Sequence, residues 1–141
     1  MNFIKSIKDE DKFMSMMFIF IVALFNAMTA LFFITIEYPV DSPTYGKMAE
    51  VINLNIYGLL LFISAIFFFL SLFQRGTPMA VSMLIGGIIG GLLVSFYTSA
   101  STLGAANVML PIRYGIMACS CFIIAAVGGV SLWKTKKKTR T

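Results

Sequence analysis

The chain has 141 residues, 59% of them hydrophobic and only 12% charged, with a formal net charge of +5, no histidine and two cysteines. A soluble domain carries about 25% charged residues, so the composition excludes a soluble enzyme, a disulfide-stapled secreted module and a disordered tail. It fits one compact membrane-embedded unit.

Four apolar runs stand out, at about 13–36, 54–73, 79–98 and 112–133. A helix rising about 1.5 Å per residue needs about 20 residues to cross about 30 Å of hydrocarbon. None of the runs alternates with period two, and backbone polar groups in lipid must be satisfied internally, which leaves helices. The sequence therefore predicts an all-α, polytopic membrane protein: a four-transmembrane-helix antiparallel bundle at 13–133, an N-terminal segment at 1–12 and a basic tail at 134–141. The first run follows Asp9, Glu10 and Asp11 and precedes no small-residue cleavage site. It is expected to stay as the first helix rather than be removed as a signal.

Near the middle of that helix stands Asn26, with Thr29 one turn on. A bare amide in hydrocarbon is costly, so Asn26 should face another helix or a water-filled path. Ser64 of the second helix and Ser120 of the fourth lie at similar depth. The loop from Glu37 to about Asn53 contains Asp41-Ser42-Pro43, where Ser42 can cap a helix opened by Pro43. The second helix is thus expected to begin near residue 43 and to protrude from the bilayer. Tyr45, Met48 and Ile52 would then form one face, either an interfacial turn or a docking surface.

Gln74-Arg75-Gly76-Thr77-Pro78 is a short connection in which Thr77 caps and Pro78 opens the third helix. That helix contains two overlapping GxxxG pairs, Gly86/Gly90 and Gly87/Gly91. The fourth offers a face of small residues through Gly115, Ala118, Cys121, Ala125 and Gly128/Gly129. Such faces let backbones approach closely, between copies or partners or within one chain. Helices one and two instead hold eleven of the fourteen phenylalanines, suited to face lipid. Cys119 and Cys121 point about 200° apart on a helix, so they cannot bridge each other and read as packing residues.

Nine of the eleven basic residues (Lys5, Lys8, Lys12, Arg75, Lys134, Lys136, Lys137, Lys138 and Arg140) fall on one side of the four spans. The positive-inside rule places that side, with both termini, in the cytoplasm or its equivalent. Tyr38, Tyr57, Tyr97 and Tyr114 would then all lie at the outer interface, with Trp133 at the inner one. Arg113 at the outer boundary can pair with Glu37 or hold an anionic headgroup. The lysine tail fixes topology or adds about 1 kcal/mol of lipid attraction per basic residue.

Without histidine, and with no acidic residue deep in any span, the chain offers no imidazole–metal site, cofactor ligation or acid–base pair. Neither a phosphate loop nor a nucleic-acid platform is present. The expectation is a non-enzymatic small integral membrane subunit that binds no cofactor or metal. Its partners would be membrane lipids and other integral membrane subunits. The rivals are a homo-oligomeric, holin-like pore and a small transporter or lipid-binding protein centred on Asn26.

Overall fold

The structure, a computed structural model, describes the backbone of residues 2–35, 43–104 and 109–138, and the side chains of 11–35, 43–103 and 109–137. The proposed Ser42 cap, Glu37, Tyr38, Asp41 and Arg140 lie outside the described residues. Among the described residues five helices follow one another: α1 (Asn2–Thr35), α2 (Pro43–Val51), α3 (Leu54–Phe73), α4 (Thr77–Gly104) and α5 (Met109–Lys138). Four of them contain stretches long and apolar enough to cross a membrane: Asp11–Thr35, Leu54–Phe73, Thr77–Leu103 and Met109–Lys137. The shortest has 20 residues, about 30 Å of helix.

The expected continuation of α2 into α3 does not occur. The chain breaks at Ile52–Asn53, where Asn53 is extended (φ −63°, ψ 125°) and its side chain accepts the backbone N–H of Asn55 at 2.9 Å. That cap satisfies a donor that the first turn of a helix leaves free, so a new helix starts where the old one would have run on. Released from α3, α2 folds over the ends of α3 and α4. Met48 is fully buried, and Lys47 Nζ donates to the Leu103 carbonyl at 2.9 Å, satisfying one of the free acceptors at the end of α4. Met48 is thus core, with Tyr45 and Ile52 packed against the same cluster, and the face expected to form an interfacial turn or a docking surface is turned inward.

The α3–α4 turn also departs from expectation. Thr77 is the first residue inside α4, and the preceding residue is Gly76, whose φ of +70° favours glycine. Its carbonyl accepts the first helical hydrogen bond, from Ala80. Gln74 ties the turn together: its backbone N–H reaches Leu70 and its side-chain Oε1 accepts from Ser82 Oγ at 2.7 Å.

Residue pairings show that consecutive long helices run in opposite directions. Phe20 meets Phe69 and Phe33 meets Tyr57 between α1 and α3. Tyr57 bonds Leu93 and Ser64 bonds Gly86 between α3 and α4. Gly87 abuts Cys121 and Gly128 abuts Ala80 between α4 and α5. Two apolar clusters fill the interior. The one at the end where α1 starts, here the proximal end, contains Ile19, Val22, Phe68, Met83 and Ile124. The distal one contains Phe33, Met48, Tyr57, Leu61 and Tyr97. The outward faces carry large apolar side chains such as Phe18, Leu24, Ile63, Ile88, Leu92 and Ile123. Water would penalise that surface, whereas lipid does not.

Candidate functional site

Between the two clusters lies the most polar point of the interior. Asn26 is 0% exposed, and its Nδ2 donates to Ser64 Oγ at 3.2 Å and weakly to Cys121 Sγ at 3.7 Å. Ser64 Oγ in turn donates to the Gly86 carbonyl at 2.8 Å. The fourth wall is Gly90: a Cβ there would stand 2.5 Å from Ser64 Oγ and 2.8 Å from Asn26 Nδ2. All four long helices therefore converge on one amide. Asn26 Oδ1 accepts no hydrogen bond from the described residues, which costs part of what the donated bonds return.

The residues expected to join Asn26 divide. Ser64 does. Thr29 is half-buried nearer the distal end, where it interacts with the Tyr114 hydroxyl. Ser120 stays on its own helix, donating to Ile116 at 3.0 Å. Its place is taken by Cys121, which is fully buried, while Cys119 is exposed. The sequence offered a signal for this choice, because Cys121 belongs to the small-residue face of the fourth helix and Ser120 does not.

The glycine pairs are consumed inside the chain. Gly86 faces the α3 backbone at Ser64; Gly87 faces the Cys121 carbonyl and Ala125; Gly91 lies under the Phe122 ring. On α5, Gly128 is tight, 2.7 Å from the Ala80 carbonyl to the position a Cβ would take, whereas Gly115 and Gly129 leave ordinary room at 3.7 Å. Ala118 and Ala125 are buried beside them. These small residues seat α5 on α4 and α4 on α3.

The tyrosines correct a second expectation. Tyr57 and Tyr97 are 1% and 3% exposed, so they line the interior of the distal end rather than the lipid interface. Phe33 is the hub, with ring centroids 4.9 Å from Tyr57, 5.8 Å from Tyr97 and 5.9 Å from Tyr45. Tyr114 lies tilted against Tyr97 with ring centroids 4.3 Å apart and meets Phe25 edge-on. Buried phenols need polar partners, and Tyr57 finds one in the Leu93 carbonyl at 3.0 Å. Edge-to-face contacts and this hydrogen bond close the distal end.

Arg113 is exposed on the first turns of α5, and its suggested partner Glu37 lies outside the described residues. At the proximal end Lys134, Lys136 and Lys137 are exposed on the last turns of α5, which ends at Lys138. Lys137 Nζ stands 5.9 Å over the Trp133 ring, within cation–π range.

The chain matches no protein-family model, no curated protein and no solved structure at a significant level.

Proposed function

We propose that this is a non-catalytic, multi-pass integral membrane protein with both termini on the cytoplasmic side or its equivalent, working as a small accessory subunit packed against other membrane proteins. The observation that carries the reading is the filled interior. From Ile19 and Phe68, through Asn26 and Ser64, to Phe33, Tyr57 and Tyr97, the axis is occupied by buried side chains of all four long helices. A solute route along that axis would have to displace them, so contacts made by the chain fall to its apolar flanks and its two ends. The flanks are ill suited to line a water-filled lesion between copies, because their large exposed side chains are apolar. The glycine-rich face of α4 is occupied by α3 and α5, so the surfaces left for partners are the apolar outer faces of the four long helices, rich in phenylalanine and isoleucine on α1, α3 and α5 and carrying Ile88 and Leu92 on α4.

The deciding experiment extracts the protein from its native membrane in mild detergent and determines the mass and composition of the particle. Stoichiometric membrane-protein partners are expected. A particle made only of this chain, releasing dye from liposomes, would replace the subunit reading with a homo-oligomeric pore. Labelling of a cysteine placed at Thr139 from the cytoplasmic side alone is expected from the orientation. Labelling from the opposite side would reverse it.

A further inference from the structure

Two adjoining cavities at the proximal end share Ser15 and Ile19 of α1. The first, about 560 Å³, opens between α1 and the α3–α4 turn, and its polar wall is formed by Lys12, Ser15, Ser71, Gln74 and Arg75. The second, about 350 Å³, lies between α1 and α5 and is lined by Phe18, Met83, Ile123 and Val127, with Ser15 as its one polar residue. They exist because α1 packs closely on α3 but touches α5 only sparsely, leaving both sides of its early turns incompletely covered.

We propose that this pair of cavities binds one anionic phospholipid, its phosphate between Lys12 and Arg75 and an acyl chain in the groove between α1 and α5. The inference is independent of the accessory-subunit reading. Charge complementarity selects the head. Lys12 comes from α1 and Arg75 from the α3–α4 turn, both exposed, and neither makes an ion pair with a described carboxylate. A guanidinium fork with an ammonium point charge suits a phosphate oxyanion. Gln74, whose Oε1 is engaged by Ser82, keeps its NH2 donors for the same anion.

Depth selects the tail. Lys12 and Arg75 flank the ends of the apolar spans that begin at Asp11 and finish at Phe73. Phe18 lies six residues further along α1, about 9 Å deeper by helix rise. An amphiphile with its charge at headgroup level would thus lead its chain along Ile19 into a groove that holds no charged residue. A free anion would use only the first cavity, and an acidic protein segment would leave the second one empty.

The test uses the full chain in mild detergent and native mass spectrometry, titrating phosphatidylglycerol against phosphatidylcholine of identical acyl chains. Retention of phosphatidylglycerol is expected to be about thirtyfold tighter, since each of the two basic residues near the headgroup favours the anion about fivefold. Lys12→Gln with Arg75→Gln should bring the two lipids to about the same affinity, whereas Lys12→Arg with Arg75→Lys keeps the preference. Neutralising Lys134, Lys136 and Lys137 should leave it in place. Equal retention of both lipids by the unmodified chain would overturn the proposal, as would a preference lost with the tail lysines and not with Lys12 and Arg75. Displacement of the lipid by glycerol phosphate at equal concentration would assign the site to a free anion. Displacement by a polyglutamate peptide would assign it to a protein segment, and either result refutes the lipid.

Discussion

Asn26 Nδ2 of α1 donates to Ser64 Oγ of α3 at 3.2 Å, thirty-eight residues away in the chain and with both side chains 0% exposed. This contact favours one register of α1 on α3, because sliding α1 by one residue would take the buried Asn26 amide away from Ser64 Oγ, which keeps its own bond to the Gly86 carbonyl. Measured interhelical hydrogen bonds inside membranes average about 0.6 kcal/mol, since the separated helices also find partners. A double-mutant cycle with Asn26→Ala and Ser64→Ala is expected to give a coupling of about that size in a detergent unfolding titration. Strictly additive effects would show that the pair does not act as a unit.

The glycines of α4 and α5 separate into tight and roomy positions. At Gly87 an added Cβ meets backbone, the Cys121 carbonyl at 2.6 Å and the Ala125 nitrogen at 2.7 Å, and backbone cannot rotate away. Gly87→Ala and Gly128→Ala should each destabilise the folded chain by roughly 1–3 kcal/mol, the usual cost of overpacking. Gly115→Ala and Gly129→Ala, with 3.7 Å of clearance, should change stability by less than about 0.5 kcal/mol. The loss must appear in unfolding of the isolated chain. A defect confined to assembly with partners would mean that Gly87 serves an outer contact instead.

Tyr57→Phe removes the hydroxyl bonded to the Leu93 carbonyl and keeps the ring on Phe33. The expected cost is about 1 kcal/mol. Tyr57→Ala also empties the centre of the distal cluster and should cost about 3–5 kcal/mol. Similar losses for the two variants in thermal unfolding would mean that the hydroxyl, and not the ring, holds the distal end.

Lys47 ties α2 to the last carbonyls of α4 through Leu103. Lys47→Met keeps the aliphatic stem but not the donor, and should raise amide hydrogen exchange across Pro43–Val51 roughly tenfold while leaving α3 protected. Met48→Ala, which removes a fully buried side chain, should open the same segment further. Unchanged exchange in both variants would show that α2 is held by other contacts.

Much of the architecture was legible because bilayer thickness acts on local composition. A run of about 20 apolar residues has few structural options in lipid, so all four spans can be found without knowing what touches what. The cost of a bare amide likewise marks Asn26 as a residue that needs a partner. Small residues mark close approaches, though not whether the neighbour belongs to the same chain. Pairing is where local composition stops deciding. Cys121 rather than Ser120 meets Asn26 because α5 is seated on α4 at Gly87 and, through its own Gly128, at Ala80. Four tyrosines at span ends look like interfacial anchors, yet Tyr57 and Tyr97 surround Phe33 together with Tyr45, and Tyr114 packs against Tyr97, because α2 folds over and seals that end. The break at Asn53 that releases α2 is marked by one side chain, which caps α3 through the Asn55 N–H. Sequence by itself determined which four segments are apolar and long enough to span, through a solvent that penalises every unpaired backbone group, but not that α1 starts at Asn2 or that α2 separates from α3. The tertiary structure alone decided which faces meet, because packing at contact distance depends on the rotation and register of all four helices at once.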